Sequence, residues 1–316
     1  MDLQTKIPLF KQSHNLINYE SNLLLLGSCF AENIGEKLEY FKFKSVVNPF
    51  GILFHPLAIE KIVMRSINEE TFTEEDVFFL NERWHSFDVH SNLSTSSKEV
   101  MLQKLNEAVQ HTSRWLKETS HIIITLGSSW VYRHIKTDLV VANCHKVPQK
   151  EFLKELLSVD DIINSLQATV AMIKEVNPKV AILFTVSPVR HLKDGFIENS
   201  RSKANLISAV NELVEPRQQL YYFPSYELMM DELRDYRFYA QDMIHPNTVA
   251  VNYIWDRFTQ IWMTDSSLEL MKEVDTIQKG LSHKPFNPES DQHKKFLLNL
   301  NKKIESIKER IPNIRF

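Results

Sequence analysis

The 316-residue sequence predicts an α/β layered fold with a mainly parallel sheet. Two observations carry that expectation. Short apolar runs recur through the first 225 residues without alternating in polarity, the pattern of strands buried on both faces. Between them lie segments whose apolar residues repeat every three to four positions, the pattern of amphipathic helices. At 43% hydrophobic and 24% charged residues, the composition is that of an ordinary globular chain and not a disordered one.

In chain order, NLLLLG (22–27) reads as the first strand. Residues 31–41 follow as a helix with Ala31, Ile34, Leu38 and Phe41 on one stripe. SVVNP (45–49) is a weaker second strand. The stretch 55–120 is long, mostly helical and interrupted by the polar HSNLSTSS (90–97), so it reads as an insertion before the third strand, HIIITLG (121–127). A helix over 159–176 carries Ile162, Ile163, Leu166, Val170 and Ile173, and leads to VAILFTVSP (180–188). A helix over 203–214 carries Ala204, Leu206, Ile207, Val210 and Leu213, and leads to LYYFPS (220–225). From about residue 268 the chain turns charged, with Phe296, Leu297, Leu300, Ile304 and Ile307 at helical spacing. The expected organisation is therefore an α/β domain over 1–267, containing the insertion at about 55–120, and a helical extension over 268–316 packed on it or holding a partner. No internal repeat or low-complexity tract interrupts this plan.

Charge and cysteine content narrow the function classes. Thirty-seven Lys and Arg against forty Asp and Glu give a formal charge of -3, which argues against a nucleic-acid binder. Two cysteines, Cys29 and Cys144, make no disulfide framework and suit a reducing compartment. The opening MDLQTKIPLFKQSH lacks the apolar core of a signal peptide, and no run is long enough to cross a bilayer. The expected location is the cytoplasm. The oligomeric state is not legible.

In an open parallel sheet, ligands bind beyond the carboxyl ends of the strands. The residues there are Gly27, Ser28 and Cys29; Asn48, Pro49 and Gly51; Gly127, Ser128 and Ser129; and Ser187, Pro188, Arg190 and His191. A serine at a strand-to-helix turn is most simply a helix cap. It is also where a nucleophile would sit, beside backbone N–H groups and the positive end of a helix. Such a serine needs a base, and Asp242-Met-Ile-His245 offers a histidine and a carboxylate three residues apart. Cys29 is the competing nucleophile, since a thiol at a helix start has a lowered pKa. Cys144 and His145 are not at a zinc spacing, and no other metal motif is present. Trp84 reads as packing, Arg190 and His191 as substrate contacts or surface ion pairs, and Tyr236, Phe238 and Tyr239 as a buttress for Asp242 rather than a sugar-binding wall.

The blocks GSCFAENIG, NPFGILFHP, TLGSSWVY, TVSPVRH and LRDYRFYAQDMIHPN, in that order over roughly residues 20–260, resemble the GSCFA domain family, a branch of the SGNH (GDSL) hydrolases. The resemblance implies a three-layer α/β/α sandwich with a flavodoxin-like sheet of strand order 2-1-3-4-5. It also implies a serine esterase working through an acyl-enzyme, with O-acetyl groups on carbohydrate as a natural substrate and no metal or organic cofactor. Ser28 takes the nucleophile's place, His245 the base's and Asp242 the orienter's. Gly51 and Gly127 match the second- and third-block glycines, whose N–H groups, with that of Ser28, would face the oxyanion. The pattern departs from the family at two points. Gly27 stands where an aspartate usually precedes the nucleophile, and Ser129 stands where an oxyanion-binding asparagine is usual. Asn48 and Asn143 are the candidate replacements for that asparagine. The alternatives are an acyltransferase with the same triad, favoured if residues 55–120 cover the site against water, and a non-catalytic carbohydrate-binding or assembly protein with a degraded site.

Overall fold

The structure, a computed structural model, describes residues 4–316; the first three residues of the N-terminal stretch lie outside it. In chain order it runs β1 (Asn22–Gly27), α1 (Cys29–Tyr40), β2 (Lys44–Val47), α2 (Pro56–Ile67), β3 (Phe78–Leu80), β4 (Arg83–His85), α3 (Lys98–Glu118) and β5 (His121–Leu126). There follow β6 (Trp130–His134), β7 (Leu139–Val141), β8 (Phe152–Leu156), α4 (Val159–Val176), β9 (Ala181–Val186), α5 (Phe196–Leu213) and β10 (Leu220–Phe223). The short α6 (Ser225–Glu227) runs on as a π-turn over Leu228–Leu233, and α7 (Thr248–Trp262), α8 (Asp265–Ser282) and α9 (Asp291–Arg310) close the chain.

The main sheet is parallel throughout, in the order β2-β1-β5-β9-β10. Counted among these five strands alone, that is 2-1-3-4-5. Its register explains the unbroken apolar runs. Leu24, Ile122, Ile182 and Leu220 lie side by side across the sheet and point into one core. Leu25, Ile123, Leu183 and Tyr221, one residue along, point into the other. The inner strands are therefore apolar at nearly every position, whereas the edge strand β2 (Lys44–Val47) is only partly buried and keeps a lysine and a serine.

Helices α2, α3, α4 and α5 cover the first face through Ile59, Ile62, Leu105, Val109, Ile162, Leu166, Leu206 and Val210. Helices α1, α7, α8 and α9 cover the second through Phe30, Leu38, Ile254, Trp262, Val274, Ile277, Leu300 and Ile307. The stretch 55–120 is mostly helical, and its α2 and α3 lie in the first helical layer. One feature differs from the sequence expectation. Residues 78–85 and 130–156 form two small antiparallel sheets, β3-β4 and β7-β6-β8, whose strands are short and mostly only partly buried and so leave no apolar run to read. No helix of the described residues is long and apolar enough to cross a membrane.

Candidate active site

The site is built at the carboxyl edge of the main sheet, where β1 gives way to α1. Gly27 ends β1 at a φ of +137°, and a Cβ there would lie 2.1 Å from the Thr125 carbonyl oxygen of the neighbouring strand. Only glycine fits that turn. Its N–H donates to Asn48 Oδ1 at 2.8 Å. Ser28, 2% exposed, caps α1, and its Oγ accepts from the Phe30 N–H at 3.3 Å. Cys29 begins the helix and packs against the core beneath α1. Burial first, then the nearby Glu32, push its pKa up, so the helix start does not yield a thiolate.

Asp242 and His245 share the turn before α7. Asp242 Oδ1 accepts from the N–H groups of Ile244 and His245 at 2.9 and 3.0 Å, and Asp242 Oδ2 meets His245 Nδ1 at 2.7 Å. These bonds, the His245 side chain first, hold the Asp242 carboxyl down to about 2. Met243 takes a φ of +58° to close the turn. Tyr239 bridges Pro246 and is buried with Phe238 packed nearby, whereas Tyr236 stands exposed. The Arg190 guanidinium lies 4.0 Å from the Tyr239 ring centre, and the Arg190 N–H donates to the Ile244 carbonyl at 3.2 Å. That bond ties the turn to the end of β9. Both side chains of the Asp242–His245 pair are nearly half exposed. Among the described residues, no hydrogen bond joins His245 to Ser28.

His191 lies between them. A point one Cβ out from Gly127 is 3.3 Å from His191 Nε2, 3.3 Å from Ser28 Cβ and 2.8 Å from Phe54 Cβ. The His191 pKa falls to about 3, mainly through burial, with the charges of Lys203 and His245 adding to the fall. His191 is therefore a neutral ring within electrostatic range of His245. Below this group, Lys203 of α5 is wholly buried, and its Nζ donates to the carbonyls of Gly127 and Ser187, both at 2.7 Å. Burial lowers its pKa to about 7.

The expected oxyanion donors are not free. The Ser28 N–H donates to the Thr125 carbonyl at 2.9 Å, that of Gly51 to Asn48 at 2.7 Å, and that of Gly127 to Phe54 at 2.7 Å. Ser129 gives its N–H to Ser202 Oγ and its hydroxyl to the Ser202 carbonyl, so it pins β6 to α5. Asn143 Oδ1 accepts from the His145 N–H, and the residue lines a separate cavity of about 470 Å³ with Arg83, His85 and His145. Burial drives the Cys144 thiol up to about 11, and His145 Nε2 donates to the Ser86 carbonyl at 2.6 Å. Trp84 packs against the first core. Among the described residues, no group of three His, Cys, Asp or Glu side chains could hold a metal ion.

A family model described as the GSCFA family matches residues 22–258. The chain belongs to that family. A second model, the C-terminal domain of GSCFA domain proteins, matches residues 274–316. No curated protein matches the sequence. Among solved structures, an acetyl esterase mutant with acetate ion and a carbohydrate esterase family 3 protein from Talaromyces cellulolyticus are similar to it. Each is 10% identical, covers 80% of this chain and 99% of its own, and has a TM-score of 0.37. A likeness at that level bears on neither activity nor substrate.

Sequence reading of this GSCFA chain missed Lys203. It sits mid-helix at an ordinary-looking position, and only its place in the buried stripe with Leu206 and Val210 marks it. Phe54, whose carbonyl accepts from both Gly127 and Ser128, was also missed, because a backbone acceptor leaves no trace in residue type.

Proposed function

We propose that this GSCFA protein is a serine esterase acting on small acyl esters through an acyl-enzyme on Ser28, His245 and Asp242. The observation that carries the reading is the meeting of two segments far apart in sequence. The Asp242–His245 pair is held at 2.7 Å on a turn bonded to the end of β9, within electrostatic range of His191, which shares the wall of Gly127 with Ser28.

In the proposed reaction, Ser28 Oγ bonds to the ester carbonyl carbon as its proton passes to His245 Nε2, and the carbonyl π pair moves onto oxygen. Asp242 fixes the ring with Nδ1 protonated and stabilises the imidazolium. When the carbonyl re-forms, the bond to the alkoxy oxygen breaks, and the alcohol leaves with the proton from His245. Water then bonds to the acyl carbon, gives its proton to His245, and Ser28 leaves with that proton. His191 is a poor alternative base because its neutral ring binds protons too weakly. Contacts between base and nucleophile often tighten only around substrate, and His245 is half exposed rather than locked in the core. The resemblance to SGNH hydrolases makes carbohydrate O-acetyl esters the first substrates to try. Domain boundaries at 267 and 268 are part of the same reading.

The open contact between His245 and Ser28 favours one rival, a binding protein that keeps the fold without catalysis. Labelling with a fluorophosphonate probe, with the modified peptide mapped by mass spectrometry, separates the two. The esterase reading expects label on Ser28, lost in Ser28→Ala and in His245→Ala, and hydrolysis of a panel of acyl esters. A folded protein that takes no label, or takes it on Cys29, refutes it. If the enzyme transfers its acyl group to an added sugar faster than to water, it is an acyltransferase with the same triad.

A further inference from the structure

The esterase reading leaves the developing oxyanion without a partner, since the three backbone N–H groups expected to meet it are spent on Thr125, Asn48 and Phe54. Two side-chain nitrogens beside Ser28 are in the opposite state. Asn48 Nδ2 and His191 Nε2 are both buried and both lack a hydrogen-bond partner among the described residues.

The orientation of Asn48 is not ambiguous. Its Oδ1 must face Gly27, because the Gly27 N–H is a donor at 2.8 Å. Nδ2 is then the unpartnered end, and it carries two N–H donors on the amide whose oxygen holds Gly27, the residue before Ser28. Asn48 itself takes a left-handed φ of +44°, which asparagine tolerates better than most residues. His191 comes from the end of β9, with Nε2 beside Gly127 and Ser28 and the Phe54 ring centre 5.7 Å from its own. Its backbone is held by Asn199 Oδ1 on the His191 N–H at 2.9 Å. Among the described residues neither ring nitrogen has a partner that would force the proton onto Nδ1, so Nε2 is free to carry it. A neutral imidazole N–H can polarise a carbonyl without competing for the proton of the nucleophile.

We infer that Asn48 Nδ2 and His191 Nε2 form a rebuilt oxyanion hole, both donating to the carbonyl oxygen as Ser28 attacks. This rests on the esterase reading above. It accounts for the missing asparagine after Gly127, because one donor has moved to the end of β2 and the other to the end of β9. It also gives the two unpartnered buried nitrogens one shared partner.

The test compares Asn48→Asp, which keeps the acceptor for the Gly27 N–H and removes both donors, with His191→Leu and His191→Gln. Each is assayed for the rate of fluorophosphonate labelling at Ser28, for ester hydrolysis, for affinity toward an arylboronic acid that forms a tetrahedral adduct on serine, and for thermal melting. Asn48→Gly, which also accepts the left-handed φ, stands in if the aspartate variant does not fold. The expected result is a loss of about 10²–10³ in kcat for Asn48→Asp and for His191→Leu. KM should change little, boronate affinity should fall in parallel, and His191→Gln should recover part of the loss through its own N–H. Variants that melt like wild type and label Ser28 at the wild-type rate overturn the assignment and leave the esterase standing. A wild-type protein that takes no label overturns the esterase reading and the oxyanion hole with it.

Discussion

Lys203 offers a sharp test because its environment conflicts with its charge. Its Nζ is wholly buried, and its two hydrogen bonds go to the carbonyls of Gly127 and Ser187. A neutral amine has two hydrogens, one for each. Burial brings its pKa from 10.5 to about 7. Above pH 7 the unfolded lysine keeps a proton that the folded one has released. Unfolding then takes up a proton, and stability climbs with pH by up to about 1.4 kcal/mol per unit. Because the folded group is still half protonated near its pKa, the gain from about pH 7 to about pH 9 comes to roughly 2 kcal/mol. Lys203→Met removes the titration and leaves two buried carbonyls unpaired, at about 1–3 kcal/mol each and independent of pH. Urea unfolding of both proteins across that range, followed by tryptophan fluorescence, gives the difference directly. Cys144 is present in both and its contribution cancels, whereas Cys29 interacts with Lys203, so both proteins are measured in a Cys29→Ala background. The stability gap between these two proteins is expected to widen by about 2 kcal/mol as pH rises. A gap that stays constant would mean Lys203 remains charged in the fold, and would refute the argument.

Other outcomes follow from the same geometry. Gly27→Ala should cost about 3 kcal/mol or more, seen as a lowered melting temperature, because its Cβ would meet the Thr125 carbonyl at 2.1 Å in a left-handed conformation. Gly127→Ala should slow labelling of Ser28 more than it lowers the melting temperature, since its Cβ would press on Phe54 and crowd Ser28 and His191. Asp242→Asn should cut ester hydrolysis at least about tenfold by freeing the tautomer of His245, with a melting temperature near wild type because the pair is exposed. Ile307→Ala, at a fully buried position in the core beneath α9, should cost about 2–5 kcal/mol in chemical unfolding if the C-terminal helices are part of one folding unit with the sheet.

The sequence by itself determined the elements whose signals are local. Four apolar runs mark the buried strands of the main sheet, because strands buried on both faces must be largely apolar, and the half-buried edge strand β2 left only the weaker run SVVNP. Ser28 at the start of α1 and the Asp242–His245 turn were legible because each lies within a few residues of chain. The ordered blocks carried the family and, through it, the strand order. Only the tertiary structure decided which polar groups remain free. The Ser28 N–H is spent on Thr125, nearly a hundred residues away, and the Gly127 N–H on Phe54, and neither residue type announces such a bond. The same holds for Lys203, whose charge is set by its burial between α5 and the ends of two strands, and for the nitrogens of Asn48 and His191, left unpaired when three distant segments close around Gly27 and Gly127. Hydrogen-bond availability and pKa are properties of an environment, and that environment exists only once the chain has folded.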